Sequence, residues 1–267
     1  MSTKMKYLAI FSFLFLPTFG SLAQSPPFKV SKLSEVREAS TLSTNPEYLV
    51  FTPRSTKQKK VPLLIYLHGA GGGRPPLTRL GMQVNALRRG IEKYGKGPCF
   101  VVVPQCLQKT KSGKKSTWEP ADLNLLLDDL LEKLPIDPRR VYLTGNSMGG
   151  YGCWAWGGHN PERFAAIAPV VGGVGPGGPK DISPDLKKWA NNLAKVPVYA
   201  FAGGKDRVVP ADRSEQMITK IRKAGGEKAR IKIYPEGGHN VRQQVYDSQE
   251  FYDWMFSCFR TINRVPE

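Results

Sequence analysis

The chain has 267 residues, of which 40% are hydrophobic, and it carries a formal net charge of +17. This length can bury a substantial core and is typical of one domain, although two small domains are an alternative. The charge most simply reflects a generally basic surface, and it is also compatible with an acidic polymer or an anionic surface as a partner. No nucleic-acid-binding motif accompanies the charge, which argues against specific nucleic-acid recognition.

Residues 1–23 have the pattern of a secretory signal peptide. Lys4 and Lys6 precede an almost wholly apolar stretch over residues 7–20. Ser21 and Ala23 then supply the small residues that precede a cleavage site. The apolar stretch is shorter than the roughly 20 residues of a membrane-spanning helix, and no other stretch is long and apolar enough to cross a bilayer. We therefore expect a secreted or periplasmic protein that does not span a membrane.

Residues 24–46 are polar and show no clear pattern, and regular alternation begins at residue 47. Tyr48–Phe51 and Val61–Leu67 have the composition of strands. A polar, lysine-rich turn joins them, so we expect these two strands to pair in the antiparallel direction. Helical spacing follows over Arg79–Lys93, and Cys99–Val103 is a short apolar pattern that is typical of a strand buried on both faces.

The strongest helix pattern is Ala121–Leu134, whose leucines recur at steps of three and four residues before Pro135 ends it. The remaining strand patterns are Val141–Thr144, Ala165–Val171, Val196–Ala202 and Arg230–Tyr234, and the remaining helix patterns are Ala211–Lys223 and Gln244–Phe259. This alternation predicts a single α/β domain over residues 47–267. We expect a mostly parallel central sheet with antiparallel N-terminal strands and helices on both faces.

The four cysteines, Cys99, Cys106, Cys153 and Cys258, allow two alternatives. If the segment between Cys99 and Cys106 is a strand, those two residues lie too far apart to form a disulfide with each other. Two bridges would therefore join each of them to one of the remaining two cysteines. Four free, buried thiols are equally compatible with the sequence, because a domain of this size does not need disulfides to fold.

A candidate nucleophile lies in the segment Gly145-Asn-Ser-Met-Gly149, which matches the motif G-x-S-x-G. A strand pattern precedes the motif and a helix-compatible stretch follows it, which is the context of a nucleophile elbow. Ser147 would then occupy a strained turn with its hydroxyl projecting into a cleft. The residues two before and two after it approach neighbouring backbone, which explains glycine at both positions. The motif therefore predicts that Ser147 is a catalytic nucleophile.

Asp206 and His239 are the candidate partners of Ser147, because each lies just beyond a predicted strand. Ligands of open α/β sheets bind at the carboxyl ends of the strands. The chain order Ser, Asp, His is that of the α/β-hydrolases. His239 would take the proton of Ser147, and Asp206 would orient His239 and stabilise its cationic form. The competing acids are Asp181, Asp212 and Glu236.

Two backbone N–H groups are expected to bind the oxyanion of the reaction. One belongs to Met148, and the other to Ala70, or alternatively Gly71, in the glycine-rich segment that follows the second strand. We expect His68 to hold this loop through hydrogen bonds and Trp118 to line a pocket. The sequence contains no cluster with metal-ligand spacing, so we expect no metal and no cofactor.

Two irregular segments, Gly172–Gly178 and Leu107–Lys115, are candidates for loops that border the cleft. The first is rich in glycine and the second is rich in lysine. Trp154 and Trp156 are expected in the core.

From Val61 onward the chain resembles secreted bacterial esterases of the α/β-hydrolase superfamily. The closest group is the one labelled predicted peptidase or phospholipase/carboxylesterase, near the dienelactone hydrolase, polyhydroxybutyrate depolymerase and prolyl oligopeptidase branches. The matching motifs are Leu67-His-Gly-Ala70, Val103-Pro-Gln-Cys106, Ile136-Asp-Pro-Arg-Arg-Val-Tyr142, Gly145-Asn-Ser-Met-Gly-Gly-Tyr-Gly152, Pro161-Glu-Arg-Phe-Ala-Ala-Ile-Ala-Pro169, Asp206-Arg-Val-Val-Pro210, Gly238-His-Asn240 and Tyr252-Asp-Trp254. The resemblance places the catalytic serine, aspartate and histidine of that group on Ser147, Asp206 and His239.

Two positions depart from the pattern of the group. Asn146 precedes the serine where an apolar residue is frequent, and Ala202-Gly-Gly204 replaces a common His-Gly-Ala run. Neither departure removes a catalytic group, but both could alter the pocket.

The leading functional hypothesis is a serine carboxylesterase that acts through an acyl-enzyme. Its substrate would be a small-molecule or polymer-linked ester, such as a short-chain ester, a polyester, or an acyl or feruloyl group on a polysaccharide. One alternative is a serine peptidase of the prolyl oligopeptidase type, and an acyltransferase uses the same residues. An alternative of another class is a non-catalytic, basic binding module on a hydrolase scaffold.

Overall fold

The structure is a computed structural model that describes residues 28–53, 60–95, 97–175, 178 and 181–261. The predicted signal peptide at residues 1–23 lies outside these ranges. Parts of the basic segment at residues 54–60 and of the Gly172–Gly178 segment also lie outside them.

The described residues form an eight-stranded sheet with the strand order β1-β2-β4-β3-β5-β6-β7-β8. The strands are β1 Lys29–Lys32, β2 Glu47–Phe51, β3 Val61–Leu67, β4 Phe100–Val103, β5 Ile136–Asn146, β6 Ala166–Val170, β7 Val198–Gly203 and β8 Ala229–Tyr234. Strand β2 is antiparallel to both of its neighbours, β1 and β4, and all pairs from β4 to β8 are parallel. The prediction of a mostly parallel sheet with antiparallel N-terminal strands is confirmed.

Helices cover both faces of the sheet, as expected. The α-helices are α1 Glu35–Ser40, α2 Asn85–Tyr94, α3 Pro120–Lys133, α4 Met148–His159, α5 Leu186–Leu193, α6 Asp212–Lys223, α7 Arg242–Tyr246 and α8 Gln249–Ser257, and short 3₁₀ helices span Ala70–Gly73, Leu77–Val84 and Pro161–Arg163. One core cluster packs α3, α4, α5 and α6 against the sheet, and the other packs α2, α7 and α8 against its opposite face. Strand β3 contributes to both clusters because successive side chains of a strand point to opposite faces.

The predicted antiparallel pairing of the first two strand patterns is wrong. Strand β2 pairs with β4, with Leu49 opposite Val103, and β4 lies between β2 and β3. All seven residues of β3 are buried, so this strand needs a neighbour on each edge and a cover on each face. Strands β4 and β5 supply the two edges, and β2 is displaced toward the rim of the sheet.

Three helical regions differ from the sequence expectation. The Arg79–Lys93 region is a 3₁₀ helix followed by α2, and the C-terminal region is divided into α7 and α8. Helix α5 was not predicted, although its buried residues have helical spacing at positions 186, 189, 190 and 193. The N-terminal segment that showed no clear pattern contains β1 and α1 within its described part.

Of the two alternatives for the four cysteines, the structure has four free thiols and no disulfide among them. Cys99, Cys106 and Cys153 are buried and Cys258 is half-buried. Burial raises the pKa of both Cys99 and Cys106 to about 12, which keeps these thiols protonated near neutral pH.

Candidate active site

Ser147 lies between β5 and α4 with φ 57° and ψ −120°. A positive φ is rare for a residue other than glycine and requires the surroundings to hold the chain in place. Its N–H donates a hydrogen bond to the carbonyl of Val170 on β6, 2.9 Å away. The predicted strand-to-helix turn is therefore present, and the serine is its most strained residue.

The glycines of the motif are required by close backbone contacts. A Cβ atom at Gly149 would lie 1.9 Å from the carbonyl oxygen of Leu67, and one at Gly145 would lie 2.7 Å from the same oxygen. Real Cβ atoms do not approach a backbone oxygen so closely. The end of β3 can therefore pack against the elbow only when both positions lack a side chain.

Ser147, His239 and Asp206 form a continuous series of hydrogen bonds. The distance from His239 Nε2 to Ser147 Oγ is 2.9 Å, and that from His239 Nδ1 to Asp206 Oδ2 is 2.8 Å. A carboxylate only accepts hydrogen bonds, so the ring proton lies on Nδ1 and leaves Nε2 free to accept from the serine hydroxyl. The Asp206 side chain is fully buried, whereas 28% of the His239 side chain is exposed.

Backbone contacts position the acid and the histidine. Asp206 Oδ1 accepts hydrogen bonds from the N–H groups of Val208 and Val209, at 2.8 and 2.9 Å. The loop that follows β7 is joined to the loop that follows β8, because the N–H of Lys205 donates to the carbonyl of Gly237 at 2.8 Å. This hydrogen bond fixes the position of the loop that carries Asp206 relative to the loop that carries His239.

The competing acids have other partners or positions. Asp212 lies in the first turn of α6 and forms an ion pair with Arg213 at 2.8 Å. Glu236 forms an ion pair with Lys205. Asp181 is an exposed residue. Of these four described acids, only Asp206 forms a hydrogen bond with His239.

The two expected oxyanion donors, Met148 and Ala70, line the same cavity as Ser147. Met148 is the first residue of α4, and Ala70 is the first residue of a 3₁₀ helix. The N–H groups at the start of a helix have no acceptor within the helix, so both are able to bind an external oxygen. Of the two candidates in this loop, Ala70 lines the cavity.

His68 lies directly before the loop residues Gly69 and Ala70, is completely buried, and forms two hydrogen bonds. Its Nε2 accepts from the N–H of Cys106 at 3.0 Å, and its Nδ1 lies 2.7 Å from the carbonyl oxygen of Gly69. Burial lowers the pKa of His68 to about 4. A neutral ring with its proton on Nδ1 satisfies both contacts, which is the structural role expected for this residue.

The prediction that Trp118 lines a pocket is wrong. This side chain is only 1% exposed, and its indole N–H donates to the carbonyl of His68 at 3.0 Å. The Trp118 side chain packs against Gly152 of α4, where an added Cβ atom would lie 2.8 Å from the Cβ of Trp118. Trp118 thus supports, from the core, the loop of residues 68–73, which carries the expected donor Ala70 and is called the oxyanion loop below. Trp154 and Trp156 are buried, as predicted.

The cavity beside Ser147 has a volume of about 390 Å³. The polar residues Lys115, Ser116 and Thr117 and the hydrophobic residues Met148, Tyr151, Val208 and Val209 all line it. Gly173, Gly175 and Gly178 also line it, so both predicted loop segments contribute to the rim. A larger cavity of about 620 Å³ lies at the opposite end of the sheet and contains none of these residues.

Tyr66 and Arg242 are site residues that the sequence patterns did not reveal. The hydroxyl of Tyr66 lies 2.5 Å from Asn146 Oδ1, and Arg242 Nη1 lies 3.1 Å from the same hydroxyl. The unusual Asn146 before the serine was the only sequence signal of this cluster.

Two further features concern the described part of the chain. It contains no group of three or more His, Cys, Asp or Glu side chains that could hold a metal ion. None of its helices has the length and apolar character to cross a membrane.

Comparison with known proteins gives one family and several structural relatives. The model of the Dienelactone hydrolase family matches residues 107–251, which is more than half of the chain. A protein of Yersinia pestis named "Putative carboxymethylenebutenolidase" is 35% identical over 147 residues, which cover 49% of this chain and 52% of that protein. The chain therefore spans about half the length of this relative.

Solved structures share the fold over most of the chain. A thermostable esterase superposes with a TM-score of 0.70 at 26% identity, covering 87% of this chain and 63% of its own. A ferulic acid esterase superposes with a TM-score of 0.62 at 20% identity, covering 86% and 100%. The fold is that of the α/β-hydrolases, and the chain belongs to the dienelactone hydrolase family.

Proposed function

We propose that this protein is a serine hydrolase that cleaves carboxylic esters through an acyl-enzyme. The observation that carries the proposal is the hydrogen-bonded series Ser147–His239–Asp206, with 2.9 and 2.8 Å between successive side chains. The serine hydroxyl is a weak nucleophile by itself, and an adjacent base with an oriented ring activates it.

In the first half of the reaction, Ser147 Oγ attacks the ester carbonyl and its proton passes to His239 Nε2. Asp206 stabilises the cationic imidazole that results. The N–H groups of Met148 and Ala70 would stabilise the oxyanion. The intermediate collapses when the carbon–oxygen bond to the alcohol breaks and His239 returns the proton to the leaving oxygen.

In the second half, water replaces the alcohol. His239 takes a proton from the water molecule while the water oxygen attacks the carbonyl carbon of the acyl-enzyme. The ester bond to Ser147 then breaks, and the proton returns to Ser147 Oγ. The products are a carboxylic acid and the free enzyme.

The substrate is proposed to be a small-molecule or polymer-linked carboxylic ester. The cavity of about 390 Å³ lies in the roughly 300–1,000 Å³ range of ligand sites and is lined by both hydrophobic and polar residues. The named relatives include a thermostable esterase and a ferulic acid esterase. The basic composition supports an ester carried by an acidic polymer.

The chain is further proposed to be exported, on the sequence pattern of residues 1–23. An N-terminal sequence that begins at Gln24 in the protein recovered outside the cytoplasm would support export. Retention of Met1 in all of the protein would contradict it.

Labelling with a fluorophosphonate tests the proposed mechanism. Wild type should be labelled and Ser147→Ala should not. Absence of label on wild type would favour the non-catalytic binding module, and equal label on both would assign the nucleophile elsewhere. A panel of p-nitrophenyl esters and peptidyl anilides then separates an esterase from a peptidase.

A further inference from the structure

Three chain segments meet at Ser147: the end of β3, the residue that precedes the serine, and the segment that carries His239. Arg242 belongs to the third segment and contacts the other two. It follows His239 by three residues and begins helix α7. Its Nη1 donates to the hydroxyl of Tyr66 at 3.1 Å and lies 3.5 Å from Asn146 Oδ1. Tyr66 lies near the end of β3, from which the oxyanion loop departs, and Asn146 directly precedes Ser147. The guanidinium therefore joins the histidine segment to the other two.

The direction of these hydrogen bonds follows from their chemistry. A guanidinium can only donate, so the hydroxyl of Tyr66 accepts from Arg242 and directs its own proton to Asn146 Oδ1, at 2.5 Å. Burial raises the pKa of Tyr66 and Arg242 opposes that increase. A chain of donors that begins at a charged group strengthens each of its members.

The amide of Asn146 lies between this cluster and the oxyanion loop. A Cβ atom at Gly69 would lie 3.4 Å from Asn146 Nδ2, and also 3.4 Å from the Cβ of Ser147. The side chain that receives the hydrogen bond from Tyr66 is therefore a neighbour of the loop that carries Ala70. Its backbone leads directly into the strained residue, whose φ is 57°.

The same loop is supported on its other side by His68 and Trp118, as described above. Arg242 itself is half-buried, and the residues that line the cavity beside Ser147 come from other segments. These positions favour a role in which Arg242 acts on the catalytic residues and not on the substrate.

We propose that Arg242, acting through Tyr66 and Asn146, is a positioning residue that aligns the strained Ser147 with the oxyanion loop and the His239 loop. The inference rests on the proposed serine hydrolase function. Removing this contact keeps all three catalytic side chains but loosens their positions relative to one another, which lowers turnover more than substrate binding.

The test compares kcat and KM of Arg242→Met, Tyr66→Phe, their double variant and Arg242→Lys on a p-nitrophenyl ester. Loss of a hydrogen bond to a charged group predicts a fall in kcat of about 10- to 100-fold for Arg242→Met with KM nearly unchanged. Tyr66→Phe keeps the ring packed and should lower kcat as well. The double variant should be little worse than Arg242→Met alone, because both changes interrupt one chain. Arg242→Lys should restore part of the loss.

Arg74→Met is the matched control, because Arg74 is an exposed arginine next to the 3₁₀ helix of the oxyanion loop. It should keep the wild-type kcat. Unchanged kcat in both Arg242→Met and Tyr66→Phe, additive losses in the double variant, or a rise in KM at constant kcat would overturn the proposal. Thermal unfolding identifies a variant that fails to fold, and Tyr66→Phe then decides. Failure of the proposed function is distinguishable, because wild type would then neither hydrolyse the ester nor react with a fluorophosphonate.

Discussion

The Asp206 carboxylate binds His239 through one oxygen and the backbone N–H groups of residues 208 and 209 through the other. The backbone contacts to one carboxylate oxygen thus fix the orientation of the acid, and the other oxygen orients the histidine. In the proposed mechanism this carboxylate both selects the ring tautomer and stabilises the cationic ring, and substitution of Asp206 tests these roles.

Asp206→Asn should lower kcat by about 10⁴-fold, because an amide that donates to Nδ1 would place the ring proton on Nε2 and remove the acceptor for Ser147. The measurement is steady-state hydrolysis of a p-nitrophenyl ester. Asp212→Asn is the control, since that acid forms an ion pair with Arg213 at the start of α6. Equal losses in the two variants would contradict the assignment of Asp206.

Gly149→Ala should destabilise the elbow, because the new Cβ would lie 1.9 Å from the carbonyl oxygen of Leu67. Overpacking of this kind costs about 1–3 kcal/mol, and we expect loss of most activity as well. Gly71→Ala is the matched control in the oxyanion loop, where no atom of any described residue beyond Gly71 and its chain neighbours lies within 4 Å of the added Cβ. Urea unfolding of both variants measures the difference, and similar stabilities would contradict the close approach.

Trp118→Phe should reduce stability by about 1–3 kcal/mol more than Trp154→Phe does. Both changes shrink a buried ring, but among the described residues only the first removes a hydrogen bond, the one to the carbonyl of His68. The indole nitrogen of Trp154 is buried, and no described residue forms a hydrogen bond with it. Trp118→Phe should also lower kcat, because the carbonyl it releases belongs to the oxyanion loop. Equal losses of stability would show that ring volume alone matters.

His68 should make the folded state sensitive to acid. Burial lowers its pKa from 6.5 to about 4 in the folded state, so the unfolded chain binds more protons at this site between those values. Stability should therefore decrease as the pH falls from about 6.5 to about 4, by up to about 3 kcal/mol from this residue. Below pH 4 the residue adds no further loss.

Urea unfolding at pH 7 and pH 4.5 measures this dependence. His68→Gln should be less stable at pH 7 and should lose less stability on acidification than wild type. His159→Gln, at the exposed end of α4, should retain the wild-type dependence. If His68→Gln also retained it, the acid sensitivity would belong to other groups.

The sequence by itself determined the class of fold, the position of the serine in its turn, and the strand ends at which Asp206 and His239 lie. These features are local: the glycines at positions 145 and 149 and the alternation of strand and helix patterns are each contained in short segments. The helical spacing of the apolar residues of α5 is also contained in a short segment. Those apolar residues were too few to predict a helix beside the stronger patterns.

Only the tertiary structure decided which strands are neighbours and what the side chains around the site contact. The pairing of β2 with β4 depends on burial of both faces of β3, which involves residues far apart in the chain. Trp118 points into the core because a carbonyl at residue 68 accepts its N–H. Arg242 reaches Tyr66 across 176 positions of sequence. Such contacts arise from packing of distant segments, and no local pattern of residues specifies them.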